Sequence, residues 1–263
     1  MLSPELGGVD MQRREFVTLI GGAVGLSVFA YIAAGNAAEL KVMSPIALKP
    51  IFEKVGAELE RSTGHKLTVF WGETGGIRSD IEKGVPFDVA VLTLNFVDDL
   101  IKQGKLDGNT RTPIARSGIG IAIRKGAPKP DVSTTDAFKH TLLNANSIGF
   151  VAQSASSRYL ETLFARLGIA EEIKSKLRPL KGPAAPYVAK GDPEIAITQI
   201  STIIPFEGVE FAGPLPPDVQ LYTVFAAAAS PASNSDAARA LLKMLVSPSN
   251  APVLEKIGLE PLN

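Results

Sequence analysis

Three hydroxyl residues stand where a β-prone apolar run gives way to a helical pattern: Ser44, Thr74 and Ser156. The most informative setting is residues 68–82, TVFWGETGGIRSDIE. A short strand there enters a turn holding Gly72, Gly75 and Gly76, and a helix leaves with Ile77 and Ile81 on one face. The first turn of a helix has N–H groups without intrahelical partners and a partial positive charge, and glycine lets a ligand approach that backbone. A hydroxyl at such a point either donates to a bound anion or caps the helix, a role worth about 1 kcal/mol. One such turn is ambiguous, because strand–glycine–helix turns are common in α/β folds. Three in one chain favour a shared anion site, with Ser44, Thr74, Gly75, Gly76 and Ser156 as its ligand-binding residues.

Side chains around these turns refine the chemistry. Arg78 and Arg158 lie near the starts of two of the helices, where a guanidinium would grip a carboxylate through a bidentate pair; the alternative is a solvated helix face. Gln199, at a strand end among apolar neighbours, either donates to the ligand or satisfies buried backbone. Glu73 is the odd member. A carboxylate in an anion-binding turn repels the ligand unless it points outward, or it serves as a base beside a bound acid. His65 and His140 fall in a turn and at a helix end and read as solvent-facing. No cluster of histidines and carboxylates has metal-site spacing, and no Gly-x-Ser-x-Gly elbow or Walker loop occurs. Neither a metal nor a cofactor is expected.

The elements that would carry these residues alternate. Apolar strands at 40–43, 68–71, 89–92, 147–151, 194–200 and 220–229 are interleaved with helical patterns that end with helices at 235–246 and 250–257. This is an α/β fold with mainly parallel sheets. Residues 114–124 read as one β-prone run leading through 125–130, KGAPKP, into a second lobe, and residues 203–217 as loop. The expected division is residues 39–115 with 206–263 for one lobe and 116–205 for the other, hinged near Pro113 and Pro205. Ligands in such sheets bind at the carboxyl ends of strands, which places the site in the cleft between the lobes.

Composition narrows the partners. The chain of 263 residues is 45% hydrophobic and 21% charged, with 27 basic against 27 acidic residues. A balance of this kind gives no footprint for nucleic acid or a membrane surface. The absence of cysteine excludes disulfides, thiolate metal sites, cysteine nucleophiles and a lipid on cysteine. At the N-terminus, Arg13-Arg14-Glu15-Phe16 precedes an apolar run over 17–34 and small residues up to Ala38. This has the form of a twin-arginine export signal over residues 1–38, with cleavage after Ala37 or Ala38 and Met11 as a second possible start; a membrane anchor is the competing reading. The protein is expected to be periplasmic and soluble after cleavage, and monomeric.

Three stretches carry a family resemblance: Lys41-Val42-Met43-Ser44, Gly72-Glu73-Thr74-Gly75-Gly76-Ile77, and Pro86-Phe87-Asp88-Val89-Ala90-Val91-Leu92. Over residues 39–263 the chain resembles the molybdate-binding proteins of ABC transporters, which have the two-lobed type II periplasmic binding fold. The resemblance implies an oxyanion held by two hydroxyls and backbone N–H groups, here those of Ser44 and Thr74, and delivery to an ABC-transporter permease. Residues 199–217, QISTIIPFEGVEFAGPLPP, are similar to a divergent branch that includes a periplasmic aconitate isomerase. That branch implies a second activity on the same scaffold, an allylic proton shift between cis- and trans-aconitate, with Glu73 as the acid–base group and Arg78 and Arg158 beside the carboxylates.

Overall fold

The computed structural model describes residues 39–262 apart from 153, 154 and 234, so the expected export signal lies outside the described residues. From the N-terminal side the chain forms β1 (Glu39–Pro45), α1 (Lys49–Thr63), β2 (Lys66–Gly72), α2 (Thr74–Glu82), β3 (Val89–Thr93), α3 (Leu94–Lys102) and β4 (Thr112–Ser117). There follow β5 (Ile119–Arg124), α4 (Thr135–Asn144), β6 (Ile148–Val151), α5 (Ala155–Arg166), α6 (Ala170–Ile173), β7 (Leu177–Leu180), α7 (Ala185–Ala189), β8 (Ile195–Gln199) and β9 (Val209–Pro214). The chain closes with β10 (Thr223–Ala229), α8 (Asp236–Leu245), α9 (Ala251–Lys256) and β11 (Glu260–Pro261).

Two sheets organise these elements. The first has the order β11-β4-β10-β3-β1-β2 and the second β7-β6-β8-β5-β9. Both are mixed rather than mainly parallel: β1 pairs in parallel with β2 and β3, and β6 with β7 and β8, whereas β10, β11, β5 and β9 all pair antiparallel. Of these, β5, β9 and β10 adjoin the points where the chain changes sheet. Apolar periodicity does not report strand direction, which is why this was not visible in the sequence.

Each sheet is covered on both faces. In the first, α1, α8 and α9 bury Ile51, Phe52, Val55, Leu241 and Leu254 against Val42 and Val89. On its other face α2 and α3 bury Ile77, Ile81, Val97 and Leu100 against Met43, Ala90 and Leu92. The continuous apolar run of β3 follows from this two-sided cover. In the second sheet Phe138, Leu142, Leu160 and Leu163 cover one face and α7, through Ala185 and Val188, the other. Helix starts are locally encoded at two places: the Thr134 hydroxyl accepts from Ala137 N–H to cap α4, and the Ser235 hydroxyl accepts from Ala238 N–H to cap α8.

The crossings between sheets differ from expectation. The β-prone run 114–124 breaks at Gly118, with β4 in the first sheet and β5 in the second. The chain thus passes from the first sheet to the second at Gly118, close to the expected boundary after residue 115 and ahead of residues 125–130. Residues 209–214, read as loop, form β9 and pair with β5. The return to the first sheet consequently lies between Pro214 and Thr223 rather than at residue 206 or Pro205.

Candidate functional site

The strand registers decide which ends face the junction between the sheets. β10 is antiparallel to both β3 and β4, so β4 runs in the same direction as β1, β2 and β3. The chain leaves the first sheet at the carboxyl end of β4, and the carboxyl ends of β1, β2 and β3 therefore point to that same edge. In the second sheet β8 runs antiparallel to β5 with Gln199 opposite Ile119, the first residue after the crossing. β6 is parallel to β8, so both of their carboxyl ends also meet the junction. Two sets of strand ends thus face one another across the crossing, the arrangement in which open α/β sheets bind ligands.

Helix α2 is the clearest element of this site. Its N-cap is Glu73, in an extended conformation with no side-chain cap bond. The first backbone bond of the helix runs from Ile77 N–H to Glu73 C=O at 2.9 Å, leaving the N–H groups of Thr74, Gly75 and Gly76 without intrahelical acceptors. Gly75 and Gly76 are exposed, and a Cβ built on either meets nothing within 4 Å. Neither has a positive φ. The chain's own packing and backbone conformation therefore do not require glycine at these positions, although glycine weakens a helix. What the two glycines do is bare a row of N–H donors at the positive end of the helix. Thr74 is half-buried beside them.

Ser44 differs from expectation. It lies within β1 opposite Trp71 of β2, has no solvent exposure, and its hydroxyl donates at 3.3 Å to the Pro45 carbonyl. It does not cap α1, which starts five residues later behind a short 3-10 turn and carries Pro50 in its first turn. A hydroxyl sealed in this way is not presented to a ligand in this conformation.

Thr93, which the sequence does not single out, occupies a comparable position. It is the last residue of β3 and the N-cap of α3, half-buried, with no side-chain cap bond. The signal was available: an apolar run ending in threonine before a helical pattern, the rule that singled out Thr74. With β1 paired between β2 and β3, Thr74 and Thr93 flank the end of β1.

Arg78 is engaged within its own lobe. Its Nε donates to Glu82 at 2.9 Å, Nη1 lies 3.6 Å from Asp99, and the guanidinium stands 4.8 Å from the centre of the Phe96 ring. The Arg78 guanidinium holds the Glu82 carboxyl below its usual range. This ties α2 to α3 instead of leaving a free cation at the cleft. Arg158 is exposed on α5 and makes no ion pair among the described residues. Ser156 and Ser157 lie in the first turn of α5 and are buried. Gln199 closes β8, and its Nε2 donates to the Thr223 hydroxyl at 2.8 Å, so this amide joins the second sheet to the start of β10. Glu73 is exposed at the mouth of the α2 turn.

Among the described residues no group of three histidines or carboxylates could hold a metal ion, and no helix is long and apolar enough to cross a membrane. Three cavities lie elsewhere: about 710 Å³ beside Asp131, His140 and Glu194, about 270 Å³ between α1 and β2, and about 360 Å³ beside Lys181 and Tyr187. None of the three is lined by Thr74, Thr93, Ser156 or Gln199.

Comparison with known proteins agrees with the two-lobed fold. The chain is 32% identical over 253 residues to an aconitate isomerase from a Pseudomonas species, covering 93% of this chain and 96% of that protein. It is 27% identical over 190 residues to the molybdate-binding protein ModA of Azotobacter vinelandii, covering 69% and 71%. Among solved structures, the substrate binding domain assigned to a molybdenum ABC transporter of Clostridium difficile superposes with a TM-score of 0.72 at 19% identity, covering 86% of this chain and all of that one, which shows a shared two-lobed fold. The family model for bacterial extracellular solute-binding proteins matches residues 40–260. The chain belongs to the bacterial extracellular solute-binding protein family.

Proposed function

We propose that this protein is a periplasmic binding protein that captures a small anion, an oxyanion or an organic carboxylate, between its two lobes and presents it to an ABC-type permease. The observation that carries this reading is the first turn of α2, whose N–H groups at Thr74, Gly75 and Gly76 have no intrahelical acceptors and which follows the carboxyl end of β2 with open space around both glycines. Thr74, Thr93, Ser156 and the exposed guanidinium of Arg158 supply further donors, and Gln199 lines the junction. Donors of this kind hold an anion without a metal. Both walls of the site come from one chain, which suits a monomer. The molybdate-binding relative supports an oxyanion, and the family supports export.

A second reading is favoured by the longer and closer match to the aconitate isomerase. In it Glu73 takes a proton from the methylene carbon of bound aconitate, the double bond moves one carbon along, and the proton returns to the former vinylic carbon. The exposure of Glu73 at the N-cap of α2, with no cap bond from its side chain, supports this role.

Thermal-shift screening of residues 39–263 against molybdate, tungstate, sulfate, phosphate, citrate and both aconitates tests the two readings, because a ligand of the native state raises the melting temperature in step with its concentration above Kd. Stabilisation by an anion without turnover supports the receptor. Stabilisation by aconitate, with cis–trans conversion seen by NMR, supports the isomerase. No shift with any of these anions would refute both.

A further inference from the structure

The return from the second sheet to the first contains a side chain that behaves as part of the sheet. Leu215 N–H donates to the Ile119 carbonyl at 3.0 Å, after which the chain turns away through Pro216 and Pro217 and leaves Ile119 N–H without a strand partner. The Gln220 side chain fills that place. Its Oε1 accepts from Ile119 N–H at 2.7 Å and from Leu221 N–H at 3.0 Å; its Nε2 donates to the Ile119 carbonyl at 2.9 Å and to the Leu215 carbonyl at 3.3 Å. A Cβ at Gly118 would sit 3.1 Å from Gln220 Nε2 and 3.3 Å from the Tyr222 ring, so a side chain there would crowd this carboxamide.

Two further contacts fix the surroundings. The Tyr159 hydroxyl donates to the Val219 carbonyl at 2.7 Å, anchoring the segment before Gln220 to α5 of the second lobe. Directly across β5, Gln199 faces Ile119 and donates to Thr223, the first residue back in the first sheet. Gln220 therefore ties the return segment to Ile119 just after the first crossing, while Gln199, the cross-strand neighbour of Ile119, ties the end of β8 to the start of β10.

We infer that Gln220 is a positioning residue: its carboxamide clasps the two crossing segments at Ile119, sets the angle between the lobes, and through the Ile119–Gln199 pairing fixes where Gln199 stands in the ligand cleft. The role in ligand placement rests on the interlobe site proposed above, whereas the clasp itself does not.

The chain has no cysteine, so spin labels attach only where cysteines are introduced. Labels at Lys105→Cys in the first lobe and Glu172→Cys in the second, both exposed positions, report the interlobe distance by electron–electron resonance. The wild-type background is expected to give one narrow distribution. Gln220→Ala, which removes the clasp, and Gln220→Glu, which keeps the acceptor but sets a charge against two carbonyls, are both expected to broaden or shift it. Unchanged distributions in both variants would overturn the inference. Should the variants not fold, hydrogen exchange of the unsubstituted protein decides. The Ile119 amide must exchange as slowly as that of Ile121 in the same strand, and loop-like exchange would overturn the clasp. Failure of the functional reading has a separate signature: no anion tested changes the wild-type distance, yet the Gln220 variants still do.

Discussion

Replacing both Gly75 and Gly76 by alanine should make the protein more stable and a poorer binder. Both glycines adopt helical conformation in the first turn of α2 with no positive φ, and an added Cβ meets nothing within 4 Å at either. Alanine therefore introduces no clash and lowers the entropy of the unfolded chain, for a gain of about 0.5 kcal/mol per position at a helix end. The pair gives about 1 kcal/mol, which in a domain of this size corresponds to a rise of about 2–4 °C in melting temperature. The same two methyl groups would add bulk beside the N–H donors that the proposed anion must reach. Differential scanning calorimetry without ligand reads the first effect, and the ligand-induced shift with the stabilising anion reads the second. The reasoning predicts a higher baseline melting temperature together with a loss of most of the ligand-induced shift. A stabilised variant with an undiminished shift would remove α2 from the site, and a destabilised variant would contradict the open geometry around the two glycines.

Other consequences can be checked in parallel. Glu73→Gln should preserve or raise anion affinity in a receptor, because it removes a negative charge from the anion site; in an isomerase it should leave binding intact and abolish aconitate conversion, as NMR would show. Asp98→Asn should cost under about 1 kcal/mol, since the bidentate Arg111–Asp98 pair at 2.6 and 3.3 Å is 36% and 38% exposed and is screened by solvent. The Arg111 bond holds the Asp98 carboxyl below its usual value of 3.8, so its contribution is present above that pH and lost as pH falls below it. Urea midpoints at neutral and acid pH should therefore differ less for Asp98→Asn than for the parent. Gly149→Ala should destabilise by about 1–3 kcal/mol through overpacking, because its Cβ would lie 2.4 Å from Pro193 Cγ and 3.0 Å from Leu180 Cδ1; the denaturant midpoint reports this directly.

Much of the layout was legible because local chemistry encoded it. The glycine-rich turn and the apolar spacing of Ile77 and Ile81 located α2, and Thr134 and Ser235 marked helix starts that the folded chain uses as caps. The exact residue of the sheet change, Gly118, was not legible beyond the expected boundary at residues 115–116, since the residues on both sides are equally β-prone and only pairing partners separate β4 from β5. Residues 209–214 read as loop because two glycines, Gly208 and Gly213, and Pro214 bracket a strand whose partner is distant in sequence. In the site, the reading of Thr74 rested on a local turn and is compatible with the geometry. Ser44 and Arg78 depended on tertiary neighbours: Ser44 is sealed within the first lobe, and Arg78 meets Asp99 and Phe96 only because α2 packs against α3. Gln220 carried no sequence signal, as Ile119, the partner that makes it a clasp, lies 101 residues away.

The most direct test of an anion held between the lobes is an amide NMR titration of residues 39–263 with whichever anion stabilises the protein. The account predicts that the amides of Thr74, Gly75 and Gly76 in the first lobe and of Ser156 and Ser157 in the second shift together and saturate with a single Kd. Shifts confined to one lobe, or centred on the cavity beside Asp131 and His140, would contradict it.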